Sequence, residues 1–316
     1  MRPEGTPEKS PAMSLTKTIS KVLKQVPIIG PQIKKAREAQ IEQEQEEAHW
    51  KFRIENTLSC PDNEYIPRVE DAGKIYGDQQ VMHNGIRIVP GSYHGNKVSL
   101  QLEKNKGVHE PEEERVFQEV LKFMPEGATM LELGAYWGFY SMWFQKEVPN
   151  AINYLIEPDP THLEFGKNNL ALNSMKGDIH QAFIDEKSGS TEDGTPVISV
   201  DDFMQLKGIE KLHMLHSDIQ GFERKMLEGA RKAFENKAID YVFISTHRAH
   251  KFGHDDINHI HDQCLDFFRD YDFFIIAETD LETTYSWDGL IAARRNDLSG
   301  PNEIDIAKRP YDTLSA

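Results

Sequence analysis

The chain has 316 residues, enough for one large domain or one domain with additions. A hydrophobic fraction of 38% fits a polar-surfaced fold, and a formal charge of −16 argues against general binding to nucleic acid, whose phosphates it would repel. Two cysteines far apart, Cys60 and Cys264, make neither a disulfide framework nor a zinc ribbon. That cysteine usage makes a reducing cytoplasm the expected compartment, and no apolar stretch is long enough to predict a spanning helix.

Residues 1–13 carry Pro, Ser and Glu, lack a signal-peptide apolar core and read as a disordered tail. Leu15, Ile19, Val22, Leu23 and Val26 then recur at helical spacing, with Lys17, Lys21 and Lys24 between them. Pro27-Ile28-Ile29-Gly30-Pro31 breaks that helix, and a second is expected over Ile33–Phe52, acid-rich from Glu38 to Glu47. Residues 9–37 hold seven Lys/Arg and no Asp or Glu. Residues 9–50 therefore suit weak contact with an anionic membrane surface, a homodimer contact, or packing on their own domain. One weak helix gives only marginal membrane affinity, which favours packing.

Residues 53–110 scatter Pro, Gly and Asn among short apolar runs, such as Gly85–Val89 and Lys97–Leu100, and suggest a small β-rich lead-in. Met82-His83-Asn84-Gly85 reads as an exposed turn. Pro111 opens a helix, with acids in its first turn and Val116, Phe117, Val120 and Leu121 as its stripe.

From residue 111 to 296 strand and helix alternate, with residues 297–316 as a tail. Met130-Leu131-Glu132-Leu133 is a buried strand, followed by a glycine turn, Gly134 to Gly138, and a helix from Phe139. Ile152–Ile156, Ile179–Ile184, Leu212–Leu215 and Tyr241–Ser245 are the next strands. Helices are expected over Thr161–Leu172, from Phe203, over Gly221–Phe234 and over Asp256–Phe268; Asp201-Asp202 would cap the second of these. Phe273–Ala277 and Leu290–Ala293 should end the fold as an antiparallel pair. The expected class is α/β: a Rossmann-like, doubly wound, mostly parallel sheet with helices on both faces and an N-terminal helical extension.

In such a sheet a ligand sits beyond the carboxyl ends of the strands, so residues just after each strand carry the chemistry. The turn reads Glu132-x-Gly134-x-x-x-Gly138, with no G-x-G pair for a dinucleotide pyrophosphate. Glu157 is placed to accept hydrogen bonds from a ribose diol. Asp185 is either an acceptor for an adenine amino group or a solvated loop acid. Asp218 is either a carboxylate that orients or deprotonates a hydroxyl nucleophile or an N-cap. His247 suits a neutral base or hydrogen-bond partner at the cleft. His250 and His254 are four apart, but without Cys or an H-E-x-x-H pattern no metal site is expected.

The E-x-G-x-x-x-G turn resembles the first motif of class I S-adenosylmethionine-dependent methyltransferases. Lys106–Pro111, Glu132–Ser141, Ile156-Glu157-Pro158, Asn168–Asn173, Ser199–Asp202, Ser217–Glu223 and Leu227–Ala230 together resemble the FkbM-type methyltransferases, over about residues 106–295. The resemblance implies a Rossmann-like enzyme using S-adenosyl-L-methionine, often for O-methylation of sugars, polyketides or other small molecules. It gives Glu132, Gly134 and Gly138 to the methionine and ribose end, with Ala135 and Tyr136 in the same motif, and Glu157 to the ribose hydroxyls. It puts Asp218 near the transferred methyl. Two departures stand out: Tyr136 where the family has Asn, which alters the pocket wall, and Gln220 where it has an acid. A non-catalytic relative and an NAD-type oxidoreductase are the alternatives.

Overall fold

The computed structural model describes residues 29–248 and 256–310; the basic helix read over residues 15–26, and His250 and His254, lie outside the described residues. By its internal contacts the chain divides into two units, Met1–Phe52 and Arg53–Ala316. In the first, the described part belongs to helix α1 (Ile29–Ser59), which starts earlier than expected. Gly30-Pro31 falls in its first turn, where proline lacks no helical hydrogen bond. Between Lys34 and His49 the described side chains are exposed, laced by Lys34–Glu38, Gln40–Glu44 and Gln43–Glu47 pairs four residues apart. No helix among the described residues is long and apolar enough to cross a membrane.

The second unit begins with three short antiparallel strands, β1 (Ile75–Tyr76), β2 (Gln79–Val81) and β3 (Arg87–Ile88). Lys97–Leu100 is not extended but lies in helix α2 (Gly95–Lys104), because Val98, Ser99, Gln101 and Leu102 make one buried helical face. Nor is Met82–Gly85 an exposed turn. Met82 and His83 are buried, with His83 edge-on to Trp143 at 4.6 Å and its Nε2 3.3 Å from Glu114.

After α3 (Pro111–Leu121) come β4 (Thr129–Leu133), α4 (Phe139–Glu147), β5 (Ile152–Ile156) and α5 (Pro160–Leu172). The expected third strand is two pieces, β6 (Asp178–His180) in the main sheet and β7 (Phe183–Ile184) in a small sheet with β8 (Gly189–Ser190) and β9 (Pro196–Ile198). Next are α6 (Val200–Lys207), β10 (Leu212–Asp218), α7 (Glu223–Glu228), α8 (Arg231–Glu235), β11 (Ile239–Thr246), α9 (His259–Asp270), β12 (Phe273–Thr279) and β13 (Gly289–Arg295). Ser199, not Asp201-Asp202, caps α6 by accepting from Asp202 N–H at 3.2 Å. The Asp201 carboxylate instead accepts from Lys232 and Ala233 N–H at 3.0 and 2.9 Å, at the start of α8.

The main sheet has seven strands in the order β12-β13-β11-β10-β4-β5-β6. β11, β10, β4, β5 and β6 are parallel, and β13 runs antiparallel to both neighbours, so the closing pair is as the sequence suggests. The chain winds outward from β4 through β5 to β6, then returns to β10 on the other side of β4. This doubly wound path places the switch point between β4 and β10. β4 and β11 are buried throughout, and α4 is buried over Phe139–Phe144.

Asn169 of α5 and Asn173, which caps its C-terminus, fasten the lead-in to this sheet. Asn173 Oδ1 accepts from Arg87 N–H at 2.9 Å, and its amide donates to Arg87 O at 2.6 Å. Asn169 Oδ1 accepts from Val89 N–H at 2.8 Å, while Nδ2 donates to Trp137 O at 3.0 Å and Ser92 Oγ at 3.2 Å. Asn169 is fully buried, so its removal strands several polar groups. Asn169→Ala should cost about 1–3 kcal/mol of stability, measured by denaturant unfolding; no loss would mean that water replaces these bonds freely.

Candidate active site

The turn between β4 and α4 is set by close contacts that only bare backbone allows. Gly134 has φ +72°, and a Cβ there would stand 1.8 Å from the Asp218 carbonyl oxygen at the end of β10. Gly134 and Ala135 N–H both donate to Ile156 O, at 2.9 and 3.0 Å, tying the turn to the end of β5. Glu132 lies beneath the turn, fully buried, accepting from Ser141 N–H at 3.0 Å; burial pushes its carboxyl up to about 8 against that hydrogen bond. Gly138 caps α4 with φ +72°, and a Cβ there would meet Leu155 Cδ2 at 3.4 Å and Gly166 Cα at 3.9 Å, both ordinary contacts or nearly so.

Above the turn opens a cleft of about 620 Å³. One wall is Glu157, Pro158, Asp159 and His162, from the end of β5 and the start of α5. Asp218, Ile219, Gln220 and Phe222 form the facing wall, after β10. Ala182, Phe183 and Ile184 with Asp193 and Thr195 of the small sheet close one end, and Tyr93 and His94 of the lead-in overhang the turn. Tyr136 is stacked on His162, ring centroids 3.5 Å apart, and its hydroxyl accepts from His94 N–H at 3.3 Å. Tyr93 stacks on Trp137 at 4.6 Å. Glu157 is buried and accepts from Tyr136 N–H at 3.2 Å and Asp159 N–H at 2.9 Å; burial raises its pKa, against these bonds.

Gly134, Tyr136, Glu157 and Asp218 thus line the cleft, whereas Glu132, Ala135 and Gly138 form the turn beneath it. Asp185 is not among the lining residues; its carboxylate pairs with Lys225 Nζ at 3.1 Å, which leaves it a loop acid held by a lysine. Asp218 does not cap a helix either, since α7 starts at Glu223 and has no side-chain cap.

His247 stands beside Asp218, because β10 and β11 pair with Asp218 opposite Ser245. Its Nδ1–H donates to Glu223 Oε1 at 2.7 Å, while Nε2 lies 3.2 Å from Asp218 Oδ1 and 3.3 Å from Asp288 Oδ1. The Gln220 amide nitrogen is 2.6 Å from the same Nε2 and 3.0 Å from Asp218 Oδ1. Burial alone would lower the His247 pKa, but the charges of Asp288 and Glu223 and hydrogen bonds to Asp218 and Glu223 hold it well above its ordinary value. Where the sequence suggests a neutral imidazole, the carboxylates around the ring favour its charged form. Burial would likewise raise Asp218, yet the hydrogen bond and charge of His247 bring it to about 2. Among the described residues no group of three or more His, Cys, Asp or Glu is arranged to hold a metal ion.

Sequence reasoning missed Asp288, Tyr93, His94 and His162. Asp288 precedes the last strand, where Gly289 is required because a Cβ would meet Thr246 Oγ1 at 2.4 Å. A W-D-G turn at a strand start was its only signal, and it is shared with ordinary surface turns.

The cleft lies beyond the carboxyl ends of the strands at the switch point of the sheet, the place where open α/β sheets bind their ligands. Residues 123–275 match the family model described as Methyltransferase FkbM domain. That stretch is an FkbM-type methyltransferase domain, and the chain is an enzyme that uses S-adenosylmethionine.

None of the curated proteins compared matches the chain. Among solved structures, TrmK of M. capricolum in complex with S-adenosyl-homocysteine is 11% identical, over 60% of this chain and 71% of that one, with a TM-score of 0.38. Precorrin-6y C5,15-methyltransferase of Geobacter metallireducens is 12% identical, over 57% and 86%, with a TM-score of 0.38. A putative rRNA-methylase of Clostridium thermocellum is 12% identical, over 60% and 96%, with a TM-score of 0.40.

The two glycines should separate cleanly on substitution. Gly134→Ala forces a methyl group into the Asp218 carbonyl and is expected to abolish S-adenosylhomocysteine binding and lower the melting temperature. Gly138→Ala meets no close backbone and should cost only the left-handed strain, about 1–2 kcal/mol, with binding retained. Calorimetric titration checks both; normal affinity in Gly134→Ala would contradict the cradle.

Proposed function

We propose that the enzyme transfers a methyl group to a hydroxyl of a small acceptor, a sugar, polyketide or similar hydroxylated metabolite, and not to a nucleic acid. The observation that carries this reading is the cleft, with the Glu157 carboxylate on one wall, Asp218 on the other and bare Gly134 backbone between. Its volume of about 620 Å³ falls within the range of small-molecule sites. When bound, S-adenosylmethionine supplies an electrophilic methyl on a sulfonium.

The chain's own part is to bind, orient and handle one proton. Glu157 accepts two backbone N–H groups and keeps lone pairs for a ribose diol. Phe183, Ile184 and Phe222 offer apolar surface for a purine. Gly134 lets the ligand lie against backbone. Methyl transfer is an in-line displacement, so holding the acceptor oxygen at near-attack distance supplies much of the rate. The surplus of acid over base in the chain, a formal charge of −16, weighs against an RNA or DNA acceptor.

Incubating the full chain with S-adenosylmethionine, a panel of hydroxylated small molecules and an RNA oligomer tests this. Mass spectrometry should find one added methyl on a small hydroxyl compound and none on the RNA; methylated RNA alone would overturn the reading. Glu157→Ala should weaken S-adenosylhomocysteine binding by about 1–3 kcal/mol, since the ribose hydroxyls lose a charged partner. Full affinity in that variant would make Glu157 a turn acid only.

A further inference from the structure

A bar of aromatic rings crosses the cleft, and the transfer step makes no use of it. Tyr136, in the turn after β4, stacks on His162 of α5 with ring centroids 3.5 Å apart and planes 14° apart. Its hydroxyl accepts from the N–H of His94, the lead-in residue just before α2, at 3.3 Å. Tyr93 is edge-on to the Tyr136 ring at 5.0 Å and is itself stacked on Trp137. Tyr93, His94, Tyr136 and His162 all line the cleft, so the bar runs from the lead-in to the wall that carries Glu157.

Parts of this bar are fixed and parts are loosely held. Tyr93 and Trp137 are buried, whereas Tyr136 and His162 are partly exposed and His94 is exposed. The main chain of Tyr136 is pinned: its N–H donates to Glu157 Oε2 at 3.2 Å, and its carbonyl oxygen packs on Gly166, where a Cβ would stand only 3.0 Å away. It is held with φ +42°, a left-handed conformation that costs a tyrosine more than an asparagine or glycine. With the main chain pinned, the ring is the part that can swing. One stack and one hydrogen bond to an exposed amide hold it, and contacts of these kinds are each worth up to about tenfold in an equilibrium. His162 has a further contact, its Nδ1 lying 3.4 Å from Glu157 Oε1, the oxygen that also takes Asp159 N–H. A ribose diol that reaches this carboxylate competes with the imidazole for Oε1.

We infer that Tyr136 and His162 form a gate over the cofactor cleft, opened when the ribose displaces His162 from Glu157 and re-formed over the bound nucleoside; this rests on the placement of the ribose at Glu157 proposed above. The molecules it passes are S-adenosylmethionine on entry and S-adenosylhomocysteine on departure. Because the stack and the His94 bond are broken only in passage, the gate slows entry and departure alike and leaves the equilibrium affinity nearly unchanged. A ring that merely touched the ligand would act differently, slowing departure alone.

Stopped-flow mixing of the full chain with S-adenosylhomocysteine, followed by tryptophan fluorescence, gives both rate constants. Tyr136→Asn keeps a residue suited to the left-handed main chain and removes the ring with its hydroxyl. Association and dissociation should each quicken about tenfold, with Kd within about threefold of wild type. Tyr136→Phe keeps the stack and loses only the His94 bond, and both rates should rise about threefold. Unchanged association in Tyr136→Asn, or in Tyr136→Phe should the first variant not fold, would overturn the gate, as would faster dissociation alone. Glu157→Ala in the same experiment separates the gate from the ribose placement. Full affinity there removes the placement, while the paired rise at Tyr136 still decides whether the ring bars the cleft.

Discussion

The approach of Gly134 to the carbonyl of Asp218 is the contact on which the site depends. A side chain at Gly134 would sit 1.8 Å from that oxygen, so the chain leaving β4 can pass the end of β10 this closely only with bare backbone at that residue. This closure is the switch point of the sheet. It sets the separation between Glu157, at the end of β5, and Asp218, and so fixes the width of the cleft between them. The same turn gives two backbone N–H groups to Ile156 O, which aligns the floor with the neighbouring strand. Bare backbone at this point both closes the sheet and lines the cleft.

A second constraint comes from buried charge. Carboxylates removed from water are costly unless each has a partner, and this protein buries an unusual run of them at the start of α3. Glu112 accepts from Tyr285 N–H at 2.5 Å and from the Ser286 hydroxyl, in the turn before β13. Glu113 accepts from Ser245 Oγ at 2.6 Å and Tyr140 OH at 3.0 Å. Glu114 takes the His109 ring at 2.6 Å, and Glu110 holds its other nitrogen at 2.8 Å. Burial would lower His109, but these two acids bring its pKa up to about 10. One helix start therefore ties together the lead-in, β11 and the turn that carries Asp288. The acidic character of the catalytic end follows from the same residues that hold the elements in place.

The sheet was legible because its signals are local. Apolar runs of strand length, a glycine turn and helical stripes need no knowledge of distant partners, and the strands, including the closing antiparallel pair, lie where those patterns put them, except that Ile179–Ile184 divides between β6 and β7. Positions just after β4, β5 and β10 were legible for the same reason, since strand polarity alone says which end faces a ligand. Asp185 stayed open between an adenine acceptor and a loop acid, because the lysine that holds it lies forty residues away and leaves no local mark. The acids after Pro111 have the pattern of a solvated first turn, yet tertiary partners bury them. Lys97–Leu100 has strand-like composition, and packing made it a helix. Asp288 was invisible because its meaning comes from His247 and Asp218, which reach it from other strands.

We propose that the cofactor lies across the ends of β4, β5 and β10. Amide hydrogen exchange of the full chain, with and without S-adenosylhomocysteine, tests this most directly. Slowed exchange is predicted at residues 134–138, 157–162 and 218–222, with little change in β1–β3 or along α1. Binding that leaves those three segments unprotected, or that protects a different face of the sheet, would contradict the account.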